Sequence, residues 1–322
     1  MKRKALLSFV MLVAALAADA QMAKLWEAKH WPGIFVEATI GDSLKGVFML
    51  DTGATDYGLV LDSTSFARLD TSSFTRLPQT MKMAFYRAEY KGDVRIIVGD
   101  IPPLMFRETK VLVFDEARLP TRHLTKEFDV IGIIGYPFFK DNIVSIDFDA
   151  NTLCFLDSIP ADEGFTAIRL TKDENGLRLM DVDGFTTAEG QRLSASVVFD
   201  TGNLWGIVLK KDSQTEHLFD SLKSASLKSE NDSQKSFSVQ KSGLSEYVRW
   251  RADSLAVGPF TLNNVPLRYD RNGVGKEYAV SQGGGLMGMA VMKRFNFVID
   301  FRHDALYLKP NRYFKENKFQ VK

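Results

Sequence analysis

An Asp-Thr-Gly triplet that occurs twice, in the same setting, constrains this chain more than any other feature. Residues 47–61 read VFMLDTGATDYGLVL and residues 197–209 read VVFDTGNLWGIVL. Each is an apolar strand, the triplet, a short loop, a Gly and a second apolar strand. Further along come Ile133-Ile134-Gly135 and Leu286-Met287-Gly288, with Gly135 84 residues after Asp51 and Gly288 88 after Asp200. Thirteen residues beyond each of these glycines lies the Phe of an IDF triplet, Phe148 and Phe301. A single Asp-Thr-Gly is an ordinary turn after a strand, since Asp and Gly are turn residues. Two copies carrying the same landmarks in the same order are an internal duplication. The 322 residues, a length suited to two domains, then divide into halves of similar size.

The pattern within the halves is mainly β. GIFVEATIGDSLKGVFML reads as strand, turn and strand leading to Asp51, and GLRLMDVDGFTTAEGQRLSASVVF does the same before Asp200. Residues 81–99 and 245–258 alternate like half-buried strands. Short helices are expected around Thr64–Leu69, Pro137–Asp141 and Lys211–Leu222, and a surface loop over the Ser- and Lys-rich stretch Ser221 to Ser236. The boundary between halves falls near Asp157–Gly164, which gives a first lobe of 21–160 and a second of 161–322.

Residues 1–20 are expected to lie outside the fold. Lys2, Arg3 and Lys4 precede an apolar run from Ala5 to Ala17, and Ala18-Asp19-Ala20 forms a small-residue cleavage site, so the segment reads as a signal peptide. The run is too short to span a bilayer, and no later stretch approaches the necessary length. Without the leader, 38 basic residues face 39 acidic ones, a balance with no field for collecting nucleic acid or anionic lipid. The one cysteine, Cys154, excludes an intramolecular disulfide and a CxxC centre. The four histidines are scattered, so no metal site is expected. An exported, periplasmic or extracellular protein without disulfides is the expectation.

On its two Asp-Thr-Gly loops and two apolar-apolar-Gly landmarks, the chain resembles the aspartic peptidases, both the bilobal pepsin-like enzymes and their retropepsin-like bacterial relatives. The resemblance spans nearly the whole chain after the leader. It implies two similar β-barrel-like lobes with a cleft between them, and it implies Asp51 and Asp200 as paired catalytic residues of an exported endopeptidase. It implies no cofactor, a polypeptide as substrate and a monomer as the working form. Thr52 and Thr201 would bond crosswise to the opposite loop. Gly53 and Gly202 would let backbone N–H groups approach the carboxylates, and Gly135 and Gly288 would pack beneath their own loops. The chemistry follows from the pair itself. Two carboxylates a few ångströms apart cannot both ionise cheaply, so they share a proton and titrate as a unit. One can then act as base towards a water while the other acts as acid towards the amide.

The chain departs from the pattern at Ala54 and Asn203, where pepsin-like enzymes carry Ser or Thr; the Asn203 carboxamide can still donate a hydrogen bond to Asp200. Without hydroxyl donors the pair should keep its second proton to higher pH, which predicts a weakly acidic to neutral optimum. A substrate-covering flap is expected near Lys82–Gly92, with Tyr86 or Tyr90 facing the substrate. Gly283, Gly285 and Gly288 fit G-x-G-x-x-G without the βαβ setting a dinucleotide site requires, and Asp181-Val182-Asp183-Gly184 reads as a hairpin turn. Two functional readings remain open: an endopeptidase, and a module on the same fold that grips a peptide or cell-envelope ligand without turnover.

Overall fold

The computed structural model describes residues 21–78, 86–115, 119, 121, 124–160, 163–173, 176–186, 192–210, 238–242, 245–270, 284–316 and 319. The leader, the expected helix at 211–222 and the expected loop at 221–236 lie outside these residues. Each half forms a six-stranded closed sheet. In the first, β2 (Phe35–Ile40), β3 (Leu44–Leu50), β8 (Val130–Ile134), β4 (Leu59–Asp62), β7 (Leu104–Phe114) and β6 (Tyr86–Val98) follow one another, and β6 pairs back onto β2. In the second, β13 (Arg178–Thr186), β14 (Arg192–Phe199), β19 (Gly285–Met287), β15 (Ile207–Lys210), β18 (Phe260–Asp270) and β17 (Ser245–Val257) do the same, with β17 paired to β13. The expected hairpin turn at 181–184 is instead the middle of β13, interrupted by an irregularity between Asp183 and Phe185.

The strands that carry the triplets share one unusual arrangement. β8 runs parallel to β3 and antiparallel to β4, lying between them, and β19 does the same between β14 and β15. The end of β3 is buried on both faces, from Val47 to Leu50. One face, with Phe48 and Leu50, joins the main core; the other, with Val47 and Met49, joins a second cluster containing Phe35, Val130 and Leu204. A strand covered on both sides reads as a continuous apolar run rather than an alternation, which is what VFML shows.

A central sheet ties the halves together. β9 (Ile143–Asp147) and β10 (Thr152–Leu156) form one hairpin, β20 (Phe295–Asp300) and β21 (Ala305–Pro310) its counterpart, and β9 pairs with β20. The register sets Val144 against Ile299, Ser145 against Val298 and Ile146 against Phe297, so a local twofold passes between Ser145 and Val298. Phe148 and Phe301, the distal landmarks of the repeat, close this layer: Phe148 packs edge-on to Phe297, and Phe301 stacks on Tyr136 of the first half at 5.6 Å. Such ring pairs add about 0.5–1.5 kcal/mol each beyond area burial.

Three short helices occur among the described residues: α1 (Ser63–Phe66), α2 (Pro137–Lys140) and α3 (Met289–Met292). The Asp62 carboxylate caps α1 by accepting from the Ser65 N–H at 2.6 Å. The helix α3 was not anticipated from sequence, although it is the counterpart of α2; both begin just after the apolar-apolar-Gly landmark.

Candidate active site

The two triplets meet across the halves. Asp51 and Asp200 directly follow β3 and β14, and their N–H groups donate to Ile134 O at 2.9 Å and Met287 O at 3.0 Å. Thr52 and Thr201, both buried, lock the loops together. The Thr52 hydroxyl donates to Phe199 O at 2.9 Å and accepts from the Thr201 N–H at 3.0 Å. The Thr201 hydroxyl donates to Leu50 O at 2.9 Å and accepts from the Thr52 N–H at 3.0 Å. Four hydrogen bonds thus obey one twofold axis, and every polar group in the knot has a partner, as buried polar groups require.

The knot sets the carboxyls of Asp51 and Asp200 within hydrogen-bonding reach of one another. Protein surrounds them closely, yet both residues keep some surface open to solvent. Asp51 accepts from the N–H of Gly53 at 2.7 Å and from the N–H groups of Ala54 and Gly202. Asp200 accepts from the N–H of Gly202 at 2.9 Å and of Asn203 at 3.1 Å. Gly53 and Gly202 face the opposite carboxyl so closely that a Cβ at either would overlap it. Gly135 and Gly288 lie under the loops: a Cβ on Gly135 would run into Tyr57 O and Ala54 O, and one on Gly288 into Asn203 O and Trp205 O.

Burial pushes the titration of both carboxyls upward, and backbone donors pull in the opposite direction. Asp200 is pushed well above its ordinary value, first by burial and then by the negative charge of Asp51. Both shifts favour a single proton shared by the pair over two ionised carboxyls.

The structure corrects one role. The Asn203 carboxamide does not reach Asp200: its Oδ1 accepts from the Trp205 N–H at 3.1 Å, and its Nδ2 is buried with no partner. Asn203 serves the pair through its backbone N–H, as Ala54 does, so the loss of the two hydroxyls is met by amide donors that no sequence pattern displays. Of the two tyrosines expected at the substrate, Tyr90 is partly buried and packs against the core, stacked on Phe66 at 4.4 Å. Tyr86 begins β6, and its side chain lies outside the described residues.

Four residues near the loops were not singled out from sequence. Tyr57 and Trp205 each precede the Gly that opens β4 or β15. The Tyr57 hydroxyl donates to Glu89 Oε1 on β6 at 2.9 Å. The Arg249 guanidinium on β17 lies 4.3 Å over the Trp205 ring. An aligned aromatic-Gly pair in the two copies was the available signal for the aromatics; Glu89 and Arg249 are far away in sequence and gave none. No cluster of His, Cys, Asp and Glu able to hold a metal occurs among the described residues.

No protein-family model and no curated protein matches the chain by sequence. Among solved structures, an aspartic proteinase from Irpex lacteus superposes with a TM-score of 0.51 over 93% of this chain and 99% of its own, at 12% identity. Basic 7S globulin from soybean gives a TM-score of 0.49 over 94% of this chain and 98% of its own, at 8% identity. Conglutin gamma from lupine seeds gives 0.49 over 94% and 97%, at 10% identity. With its two paired barrels, the chain has the pepsin-like fold.

Proposed function

We propose that this protein is an exported aspartic endopeptidase that hydrolyses peptide bonds with a water activated between Asp51 and Asp200. The observation that carries the reading is the meeting of two closely enclosed carboxyls beside a symmetric hydrogen-bonded knot, with the titration of both raised by burial. A fold needs no such pair for stability, since two adjacent acids under burial cost free energy whenever both ionise.

In this reading Asp51 takes a proton from the water while Asp200 hydrogen-bonds to the carbonyl oxygen of the scissile amide. The water oxygen forms the new bond to carbon, a tetrahedral diol results, and a proton passes to the leaving nitrogen as the C–N bond breaks. No covalent intermediate with the protein is involved. The backbone donors around Asp51 hold its carboxylate in place through the step. The leader directs the chain to the periplasm or exterior, and the chain acts as a monomer on extended polypeptide segments.

The test is hydrolysis of an unstructured polypeptide, followed by mass spectrometry, by the wild type and by Asp51→Asn and Asp200→Asn. Loss of cleavage in both variants, with the fold intact by circular dichroism, is expected. Wild-type turnover in either variant would refute the mechanism, and a folded wild type that binds peptides without cleaving them would leave the binding module as the function.

A further inference from the structure

The two Asp loops hang from the same frame, yet the second spans it with one residue fewer. In the first, the Asp51 N–H donates to Ile134 O, Ala54 O accepts from the Tyr136 N–H and Gly58 O accepts from the Gly135 N–H. In the second, the Asp200 N–H donates to Met287 O, Asn203 O accepts from the Met289 N–H and Gly206 O accepts from the Gly288 N–H. The anchors correspond one by one. Between the last two of them the first loop has Thr55, Asp56 and Tyr57, and the second only Leu204 and Trp205.

The Asn203 side chain supplies what the shorter loop lacks. Its Oδ1 accepts from the Trp205 N–H at 3.1 Å, the bond to the backbone two residues on by which Asn imitates a backbone turn. Ala54, at the equivalent position, has no such acceptor, and the first loop turns instead on a backbone bond from the Thr55 N–H to Gly53 O at 2.9 Å. The side-chain turn fixes what lies on either side of it. Leu204 packs with Phe35 and Met49 of the first half, and Trp205 O accepts from the Ala290 N–H at 3.1 Å. The Asn203 N–H is left facing Asp200 Oδ1 at 3.1 Å. The carboxamide has room because residue 288 is Gly: a Cβ there would stand 2.8 Å from Asn203 Cγ. Its Nδ2 is buried without a partner. A buried donor left unpaired is destabilising, so what the side chain contributes here is its acceptor.

We propose that Asn203 is a positioning residue of the aspartate pair: its side chain stands in for the residue missing from the second loop and so holds its own backbone N–H on the Asp200 carboxyl. The side chain acts only through that N–H. This role rests on the reading of the aspartate pair as the working site. It gives a task to the carboxamide that stands where a hydroxyl was expected. Asp51 is the charged group that acts most on Asp200. An amide donor favours the ionised form of a carboxyl, so displacing the Asn203 N–H raises the Asp200 titration.

The experiment is a pH titration of the carbon-13-labelled Asp200 carboxyl in the full chain after the leader, which needs no turnover, together with hydrogen exchange at the Trp205 amide. Asn203→Ala removes the acceptor. The Trp205 N–H should then exchange about tenfold faster, and the Asp200 midpoint should rise by about one pH unit. Inserting one Gly between Leu204 and Trp205 of that variant gives the second loop the length of the first, and it should return the midpoint towards the wild-type value. A role in packing alone would lower the stability of Asn203→Ala and leave the midpoint where it is. That result overturns the proposal, as does a folded insertion variant whose midpoint stays raised. If Asn203→Ala does not fold, Asn203→Asp, which keeps an acceptor, should fold with the Trp205 N–H protected, and the insertion should restore folding to the Ala variant. Failure of both overturns the proposal. Hydrolysis of an unstructured polypeptide is followed in the same proteins. Asn203→Ala should lower kcat about tenfold with KM unchanged to within about twofold, and the insertion should recover it. A titration shift and its rescue in a protein that cleaves nothing refute the peptidase and keep the positioning role; cleavage by the wild type with no shift in Asn203→Ala does the reverse.

Discussion

At the scale of single residues, the site depends on a few hydrogen bonds that cross between the two loops. Thr201→Val keeps the shape of the side chain but strands the Thr52 N–H and Leu50 O. Each buried group left unsatisfied costs roughly 1–3 kcal/mol, so denaturant unfolding should show a loss of that order or more, and Thr201→Ser should recover most of it. The sign of the pH effect follows from Asp200. Its titration is raised in the folded state, so its contribution to stability is complete below the ordinary Asp range and is lost as pH rises through the raised value. Asp200→Asn should therefore be more stable than the wild type at alkaline pH, by about 1.4 kcal/mol for each pH unit of the shift traversed. Equal pH dependence of unfolding in the two proteins would contradict the raised titration. Much of this scale could be read beforehand, because Asp51, Thr52, Asp200 and Thr201 declare themselves by repetition. The donors to the carboxyls could not, because Ala54 and Asn203 act through backbone N–H groups, which every residue type but proline possesses.

At the scale of elements, the loops are shaped by what passes beneath them. β8 and β19 bring Gly135 and Gly288 under the triplets, where backbone oxygens leave no space for a side chain. Gly135→Ala and Gly288→Ala should each lower stability by about 1–3 kcal/mol, the usual cost of overfilling a packed site. Because the displaced atoms belong to the Asp loops, activity should fall more steeply than folded fraction; activity tracking folded fraction would show that the glycines serve packing alone. The strands leading to each Asp were legible because apolar runs and turn residues coincide. The helix α3 was not, since Met289 to Met292 is a single turn with no polar cap and no Pro, whereas Pro137 announces α2. The surroundings of Tyr90 were hidden for a related reason: alternation shows that a strand residue has a face, but not that its ring stacks on Phe66.

At the scale of the whole molecule, twofold symmetry makes a site that neither half contains. The knot of Thr52 and Thr201 and the β9–β20 pairing act at two levels of the same junction, and Leu204 crosses to pack with Phe35 and Met49 of the first half. Arg178, nearly buried, adds a fixed link: it donates to Phe301 O at 3.0 Å and pairs with Asp304 at 2.6 Å while lying 5.8 Å from the Tyr136 ring. The duplication was legible from landmark spacing, but the central sheet was not, because its pairing joins residues about 150 positions apart that share no motif beyond IDF. What this junction achieves is the placement of two carboxyls within reach of one another, where a single shared proton is expected. The direct measurement is a pH titration of carbon-13-labelled aspartate carboxyls by NMR, with Asp51→Asn and Asp200→Asn identifying the two signals. In the wild type one carboxyl should keep its proton well above the ordinary Asp range, and Asp51→Asn, by removing the neighbouring charge, should bring the Asp200 titration down. Two carboxyls that titrate independently in the ordinary range, unaffected by substitution of the other, would contradict the account.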